Sequence, residues 1–221
     1  MNTYRQIIEN DGVRIPCIMI EPTTPIGAAV IIHGYGGCKE EQLGLAWRIA
    51  EIGFATCTID ISGHGQHDLP LGKRVLLDVN SAINYCRRFG KVVAVGHSLG
   101  GRLAMVSNAD YSIGISPAIV DIFRNQTREN LKNLRSYRVK NCKSENFLEV
   151  FKQLPMWVSS KNKPTLILYA SRDISEIISA CNKISEKNIP VINIENALHN
   201  DIYLNEITFE KINNQLQQWF K

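Results

Sequence analysis

Residues 93–104 read VAVGHSLGGRLA, an apolar run followed by one serine set among glycines. The run is short and β-branched, as in a buried strand, and the residues after the glycines are typical of a helix. A G-x-S-x-G pattern between a strand and a helix indicates a sharp turn that lifts the serine hydroxyl clear of a sheet. Gly96 and Gly100 allow backbone segments to approach where any side chain would clash. The stretch therefore predicts a nucleophilic Ser98 at the end of a strand.

The same turn places Ser98 beside the first turn of the following helix. The unpaired N–H groups and the positive dipole end of a helix can stabilise an oxyanion. We therefore expect the N–H of Leu99 to be one oxyanion donor. The alternative interpretation is a glycine-rich helix start that serves only close packing.

Short apolar runs alternate with amphipathic stretches along most of the chain. Each run is β-branched, as expected of a strand covered on both faces, and the stretches between them have the spacing of helices with one buried face. The strand-like runs are Ala28–Ile32, 54–60, 91–95, Tyr111–Ile115, 165–170 and 190–194. The helical stretches are 43–50, Val75–Cys86, 175–187 and 207–220. This alternation predicts the α/β class.

The N-terminal part of the chain follows a different pattern. Asn10, Asp11 and Gly12 lie between the strand-like runs 4–8 and 13–20 and have the composition of a tight β-turn. We therefore predict an antiparallel hairpin here. The whole chain is then a mostly parallel central sheet with an antiparallel N-terminal hairpin and helices on both faces.

Residues 117–163, which we call the insertion, contain no strand-like run. Its first apolar residues have helical spacing, at Val120, Phe123, Thr127, Leu131 and Leu134. A second apolar cluster follows at 147–157. The insertion holds ten Lys and Arg against four Asp and Glu, a net charge of +6 in a chain whose total is +4. The basic character of the protein is therefore local.

Several of these basic residues share one predicted helical face, opposite Leu131 and Leu134. They are Arg124, Arg128, Lys132 and Arg135. Either the face is a solvated exterior, or its charge steers anionic or lipid-surface substrates towards the protein.

The composition argues against several classes of protein. The 221 residues are 44% apolar, which fits one globular domain, and no Lys/Arg-rich block suggests a nucleic-acid surface. The six cysteines are dispersed without C-x-x-C pairs, so we expect reduced thiols and no metal site. The sequence has neither a secretory signal nor the roughly 20 apolar residues that span a bilayer. We expect a cytoplasmic protein without cofactor, metal, nucleic-acid partner or stable membrane insertion; the oligomeric state stays open.

Two further stretches combine histidine with glycine, namely IIHGYGG at 31–37 and DISGHG at 60–65. Together with G-x-S-x-G they resemble the α/β-hydrolase family over nearly the whole chain. IIHGYGG is similar to the family's oxyanion loop, in which the residue after His-Gly donates its N–H, and that residue is Tyr35 here. The resemblance implies structural roles for His33 and for the DISGHG loop near the active site.

The resemblance also implies two partners for Ser98, because the family's chain order is nucleophile, acid, histidine. His199 is the only histidine after Ser98, so this order allows no other base. Asp173, which follows the run 165–170, is the favoured acid, and Asp121 is the alternative because some family members take their acid from that neighbourhood. A serine hydroxyl needs such an imidazole and carboxylate to become a good nucleophile.

The function that the resemblance implies is a carboxylesterase-type serine hydrolase. It would act on a small-molecule ester through a Ser-His-Asp triad and an acyl-enzyme intermediate. The alternatives are a thioesterase, a lysophospholipase or monoacylglycerol lipase, and a ligand-binding protein without catalysis. Family members carry a cap where the insertion lies, so we expect a single domain spanning 1–221 with 117–163 as a small helical lid.

Overall fold

The computed structural model describes residues 1–10, 12–120, 122–141, 144–185 and 189–221, with the side chains of 144–147 left aside. Within this part of the chain, eight strands form one sheet in the order β1-β2-β4-β3-β5-β6-β7-β8. The strands are β1 (Asn2–Asn10), β2 (Val13–Glu21), β3 (Ala28–Ile32), β4 (Ala55–Ile59), β5 (Val92–His97), β6 (Tyr111–Ile115), β7 (Thr165–Arg172) and β8 (Val191–Leu198).

The pairing of these strands confirms the predicted architecture. β1 and β2 are antiparallel and pair from Asn2 with Glu21 to Asn10 with Val13. β2 also runs antiparallel to β4, whereas every pair from β4 through β3 to β8 is parallel. Asp11, in the predicted turn, lies outside the described residues. The mostly parallel sheet therefore begins with the antiparallel hairpin that the sequence predicts.

Helices cover both faces of the sheet. They are α1 (Leu43–Glu51), α2 (Val75–Cys86), α3 (Leu99–Val106), α4 (Asn125–Leu134), α5 (Ser144–Gln153), α6 (Ser175–Ser185) and α7 (Glu206–Trp219). α2, α3 and α6 pack on one face, where Val30 of β3 is buried, and α1 and α7 pack on the other, where Ile31 is buried. Successive strand residues point to opposite faces, so a strand covered on both sides is apolar throughout.

The predicted helical stripe of the insertion is wrong at its first two residues, whereas Leu134 is the last residue of α4 as predicted. α4 begins at Asn125, after an extended Arg124 with ψ of 159°, so Val120 and Phe123 precede the helix. Both residues are nevertheless buried in the core. Leu134, at the other end, is 64% exposed. An i, i+3 spacing arises here from an extended segment that lies on the core, which sequence periodicity alone does not separate from a helix turn.

Two further predictions concern reduced cysteine thiols and the absence of membrane-spanning helices. The described cysteines, Cys17, Cys38, Cys57, Cys86 and Cys181, carry free thiols, and Cys142 lies outside the described residues. Among the helices of the described ranges, none has the length and apolar character needed to cross a bilayer.

Candidate active site

Three of the predicted site residues meet at the carboxyl ends of parallel strands. Ser98 follows β5, Asp173 follows β7 and His199 follows β8. His199 Nε2 lies 3.0 Å from Ser98 Oγ, and His199 Nδ1 lies 2.7 Å from Asp173 Oδ1. The structure thus brings a hydroxyl, an imidazole and a carboxylate into one hydrogen-bonded series. Asp121, the alternative acid, lies outside the described residues.

The backbone of Ser98 is held in an uncommon conformation, with φ of 54° and ψ of −114°. Its N–H donates to Ile115 O at 2.9 Å, and its carbonyl accepts from Ala118 N at 3.0 Å. A Cβ on Gly96 would lie 2.1 Å from Gly100 O, and a Cβ on Gly100 would lie 2.3 Å from a carbonyl of β3. Neighbouring backbone therefore imposes the strain that a residue at positive φ carries, and only glycine fits at both positions.

The side chain of Asp173 is completely buried and accepts several hydrogen bonds besides the one from His199. Ile174 N donates to Oδ1 at 2.7 Å, and the hydroxyl of Ser116 donates to Oδ2. Burial raises the pKa of Asp173, but the bonds from His199, Ser116 and Ile174 outweigh it, so the pKa lies below its ordinary value. A charged Asp173 favours the tautomer of His199 that carries its proton on Nδ1, which leaves Nε2 to accept from Ser98.

Sequence reasoning gave no role to two residues that support this arrangement. Ser116 follows β6, and it reaches Asp173 because β6 lies beside β7 in the sheet. His97 Nε2 donates to the backbone oxygen of His199 at 2.7 Å. Burial and the proximity of His199 lower the pKa of His97 to about 3, so it stays a neutral donor. A polar side chain at the end of the apolar strand β5 was the available signal for His97.

The two predicted oxyanion donors belong to two different segments next to Ser98. Leu99 is the first residue of α3, so its N–H belongs to the first turn, where helical N–H groups have no acceptor within the helix. Tyr35 borders the cleft that contains Ser98, and a Cβ on the preceding Gly34 would lie 3.2 Å from Ser98 Cβ. The loop of Gly34 and Tyr35 therefore lies directly against the turn that carries Ser98.

His33 and His64 hold the loop of Gly34 and Tyr35 through hydrogen bonds to its backbone. His33 Nδ1 donates to Gly34 O at 2.8 Å. His64 Nε2 accepts from Gly36 N at 3.0 Å while its Nδ1 donates to Ser62 O at 3.0 Å. Burial, with a smaller effect of His33, lowers the pKa of His64 to about 3. Both histidines therefore act as neutral supports of the loop.

Comparisons with known proteins agree with the architecture and the motifs. The family model described as serine aminopeptidase, S33 (Hydrolase_4), matches residues 23–120. Est1E from Butyrivibrio proteoclasticus, solved with ferulic acid, is 21% identical, with a TM-score of 0.77 over 96% of this chain and 98% of Est1E. The chain has the α/β-hydrolase fold.

Further solved structures share the fold at lower identity. An esterase from Pyrobaculum calidifontis is 18% identical, with a TM-score of 0.71 over 99% of this chain and 84% of its own. A thermophilic esterase from Thermogutta terrifontis, with malate bound, is 14% identical, with a TM-score of 0.70 over 99% of this chain and 100% of its own. No curated protein sequence matches this chain significantly.

A buried ion pair joins two loops beside the site. Lys39 is 1% exposed, and its Nζ lies 2.5 Å from Asp60 Oδ2. Asp60 also accepts from Lys39 N and Gln66 N, each at 2.8 Å. The DISGHG loop thus holds the residues that follow the Tyr35 loop, which is the structural role that the resemblance implies. Among the described residues, no three His, Cys, Asp or Glu side chains are placed to bind a metal ion.

The cleft at Ser98 encloses about 40 Å³ and is bordered on one side by Leu131 and Arg135 of the insertion. The prediction of one basic helical face formed by Arg124, Arg128, Lys132 and Arg135 is wrong for its first and last members, because Arg124 precedes α4 and Arg135 follows it. α4 ends at Leu134, and Arg135 leaves helical geometry with φ of −131°. This change of backbone direction brings Arg135 to the same cleft as Leu131 rather than to the opposite face.

Proposed function

We propose that the protein is a serine hydrolase that cleaves carboxylic esters through Ser98, His199 and Asp173. The hydrogen-bonded series from Ser98 Oγ to His199 to Asp173, at the border of a cleft, carries this proposal. The α/β-hydrolase fold supports it, and so does the description of two structural neighbours as esterases.

In the proposed reaction, Ser98 Oγ attacks the ester carbonyl as its proton passes to His199 Nε2. Asp173 stabilises the imidazolium that forms. The N–H groups of Leu99 and Tyr35 hold the tetrahedral oxyanion, and such donors are each worth about 3 to 4 kcal/mol in the transition state. His199 then protonates the leaving alcohol, and water releases the acyl group from Ser98 by the same proton route.

The insertion has the place of a lid in this proposal. Leu131 and Arg135 border the cleft, and the cleft volume of about 40 Å³ is far below the ~300 Å³ of an ordinary drug-sized ligand pocket. Short esters therefore fit best in the present arrangement. Longer acyl chains require 117–163 to move away from the rest of the single domain.

Aminopeptidase activity is the second candidate, and the description of the matching family model favours it. The same three residues would then cleave an amide. Such an enzyme needs a group for the substrate's ammonium. Among the described residues that border the cleft at Ser98, the charged group without a counter-ion is the guanidinium of Arg135. A cation at this position repels the ammonium group of an aminopeptidase substrate, which disfavours this activity.

A fluorophosphonate probe and a substrate panel test the proposal. The probe should label wild type but not Ser98→Ala, and p-nitrophenyl acetate turnover should fall by about 10³-fold or more in that variant. Ser159→Ala is the matched control, because Ser159 is an exposed serine of the insertion. Esters and thioesters of increasing acyl length, with aminoacyl p-nitroanilides alongside, then define the reaction. Undiminished labelling and turnover in Ser98→Ala would overturn the proposal.

A further inference from the structure

Arg135 occupies a fixed position beside the nucleophile. A Cβ on Gly36, whose φ is 71°, would lie 3.0 Å from both Cβ and O of Arg135, so the two backbones are in contact. The residues that follow Arg135 contact other residues that border the same cleft. Ser136 Oγ lies 2.9 Å from the hydroxyl of Tyr35, and Arg138 pairs with Glu41 at 2.5 Å. We call residues 135–140 the clasp.

The clasp has further bonds to the loop that follows β4. Lys140 N donates to Gly63 O at 2.8 Å, and Lys140 Nζ donates to His67 O at 3.0 Å. Contacts at both ends of the clasp thus fix the backbone from which Arg135 extends. The backbone of Arg135 is therefore ordered before any ligand binds, and the bond from its Nη2 to Asn200 Oδ1 adds to this order, which lowers the entropic cost of binding through Arg135.

The charge of Arg135 has no counter-ion among the described residues. Its Nη2 donates to the neutral amide oxygen of Asn200 at 2.8 Å. The carboxylate of Glu41 is paired with Arg138, and that of Asp173 is paired with His199. No described carboxylate lies within 4.0 Å of the Arg135 guanidinium. A guanidinium has five N–H donors in a planar fork that matches a carboxylate, so most of its donors are available to a ligand.

A second polar group borders the same cleft without a partner. Gln42 is 1% exposed, and its Oε1 forms no hydrogen bond. Leaving a buried polar atom unpaired is costly, and because Oε1 is an acceptor, only a ligand with a hydrogen-bond donor, such as a hydroxyl, removes that cost. Because the cleft encloses only about 40 Å³, a molecule that reaches Ser98 lies near both Arg135 and Gln42.

We propose that Arg135 binds a carboxylate of the substrate, so that the preferred substrates are short esters with a carboxylate a few bonds from the scissile carbonyl. The proposal rests on the ester hydrolysis proposed above and names its substrate class. Arg135 would also offset the repulsion between that carboxylate and the oxyanion that forms at Ser98. The small cleft places the carboxylate on a short arm, on either the acyl or the alcohol side of the ester.

Two pairs of esters of equal shape test this class, because an isopropyl group replaces the carboxylate in each. Monoethyl succinate against ethyl 4-methylpentanoate places the charge on the acyl side. Acetoxyacetate against isobutyl acetate places it on the alcohol side. Wild type should hydrolyse the charged member of at least one pair with the higher kcat/KM, measured by pH-stat titration. Preference for the neutral member of both pairs would overturn the proposal without any variant.

Variants then assign the preference to Arg135. In Arg135→Gln the ratio of charged to neutral kcat/KM should fall about 10-fold to 100-fold, as expected for a lost charge-assisted hydrogen bond. Arg135→Lys should retain part of the ratio, because it keeps the charge but not the fork. Lys132→Gln removes the same charge from an exposed position of α4 and should change the ratio less than twofold at 0.15 M salt.

The outcomes separate this proposal from the one on which it rests. An equal ratio in Arg135→Gln and wild type, with turnover that still depends on Ser98, would overturn the carboxylate proposal and leave ester hydrolysis standing. Turnover of both pairs by Ser98→Ala would overturn ester hydrolysis at Ser98 instead. An equal fall of the ratio in Lys132→Gln and Arg135→Gln would indicate long-range steering and would also overturn a binding role for Arg135.

Discussion

The nucleophile turn, residues 96–100, and the clasp, residues 135–140, both lie against the cleft but are held by different forces. Backbone contacts hold the turn, since glycine positions touch neighbouring carbonyls and Ser98 bonds the end of β6. The clasp depends largely on side chains, through Ser136, Arg138 and Lys140. A geometry built from backbone contacts tolerates almost no substitution, whereas one built from several polar contacts can lose them singly.

The largest effect is expected from Gly100→Ala, which attacks the turn. The new Cβ would lie 2.3 Å from Ile32 O and 2.5 Å from His33 O, and neither carbonyl can move without breaking the sheet. The free energy of unfolding should fall by about 3 kcal/mol or more in urea titrations. Gly44→Ala is the matched control, because a Cβ there meets no atom within 4 Å, and a helical alanine should stabilise by about 0.5 to 1 kcal/mol. A loss below 1 kcal/mol in Gly100→Ala would contradict the tight turn.

A smaller loss of stability is expected when the pH is lowered, because His64 supports the loop that contacts the clasp. His64 accepts the N–H of Gly36, and burial holds its pKa at about 3, against 6.5 for an ordinary histidine. Between these two values the unfolded state binds a proton that the folded state does not. The contribution of His64 to the free energy of unfolding is therefore fully present above pH 6.5. It falls as the pH is lowered, by up to about 1.4 kcal/mol per pH unit.

His97 acts in the same direction, because its pKa is also about 3. The free energy of unfolding should fall less steeply between pH 7 and pH 5 in His64→Gln than in wild type, and the difference in slope should correspond to about one proton. Urea titrations at pH 7, 6 and 5 measure these slopes. Identical pH slopes in the two proteins would mean that His64 is already protonated in the folded state.

The smallest effect is expected from Tyr35→Phe, which removes one contact of the clasp. The lost hydrogen bond to Ser136 Oγ is part-buried and should cost about 1 kcal/mol. Limited proteolysis should cut the insertion several times faster than in wild type. Tyr137→Phe is the control, because Tyr137 is 80% exposed, and it should leave both measurements unchanged. A cost above 3 kcal/mol for Tyr35→Phe would show that the clasp, like the turn, fails as a unit.

The same contrast explains how much the sequence could predict. Continuous apolar runs mark the parallel strands, and glycines mark the nucleophile turn, because both signals arise from local geometry. The support of Asp173 by Ser116 depends on β6 lying next to β7, which is a property of the sheet order. The approach of Arg135 to the cleft depends on where α4 ends, and helical spacing instead predicts a position on the opposite face.

The small volume at Ser98 also affects which molecule completes the proposed reaction. One water molecule needs about 10 to 15 Å³ of cavity volume. The cleft volume of about 40 Å³ beside Ser98 therefore holds about three water molecules. With an acyl group attached, the remaining space still has to hold the departing alcohol, so an alcohol no larger than that leaving group also fits as an acceptor. Transfer of the acyl group to added alcohols should therefore depend on their size, and the ratio of new ester to free acid should fall from ethanol to bulkier alcohols such as benzyl alcohol.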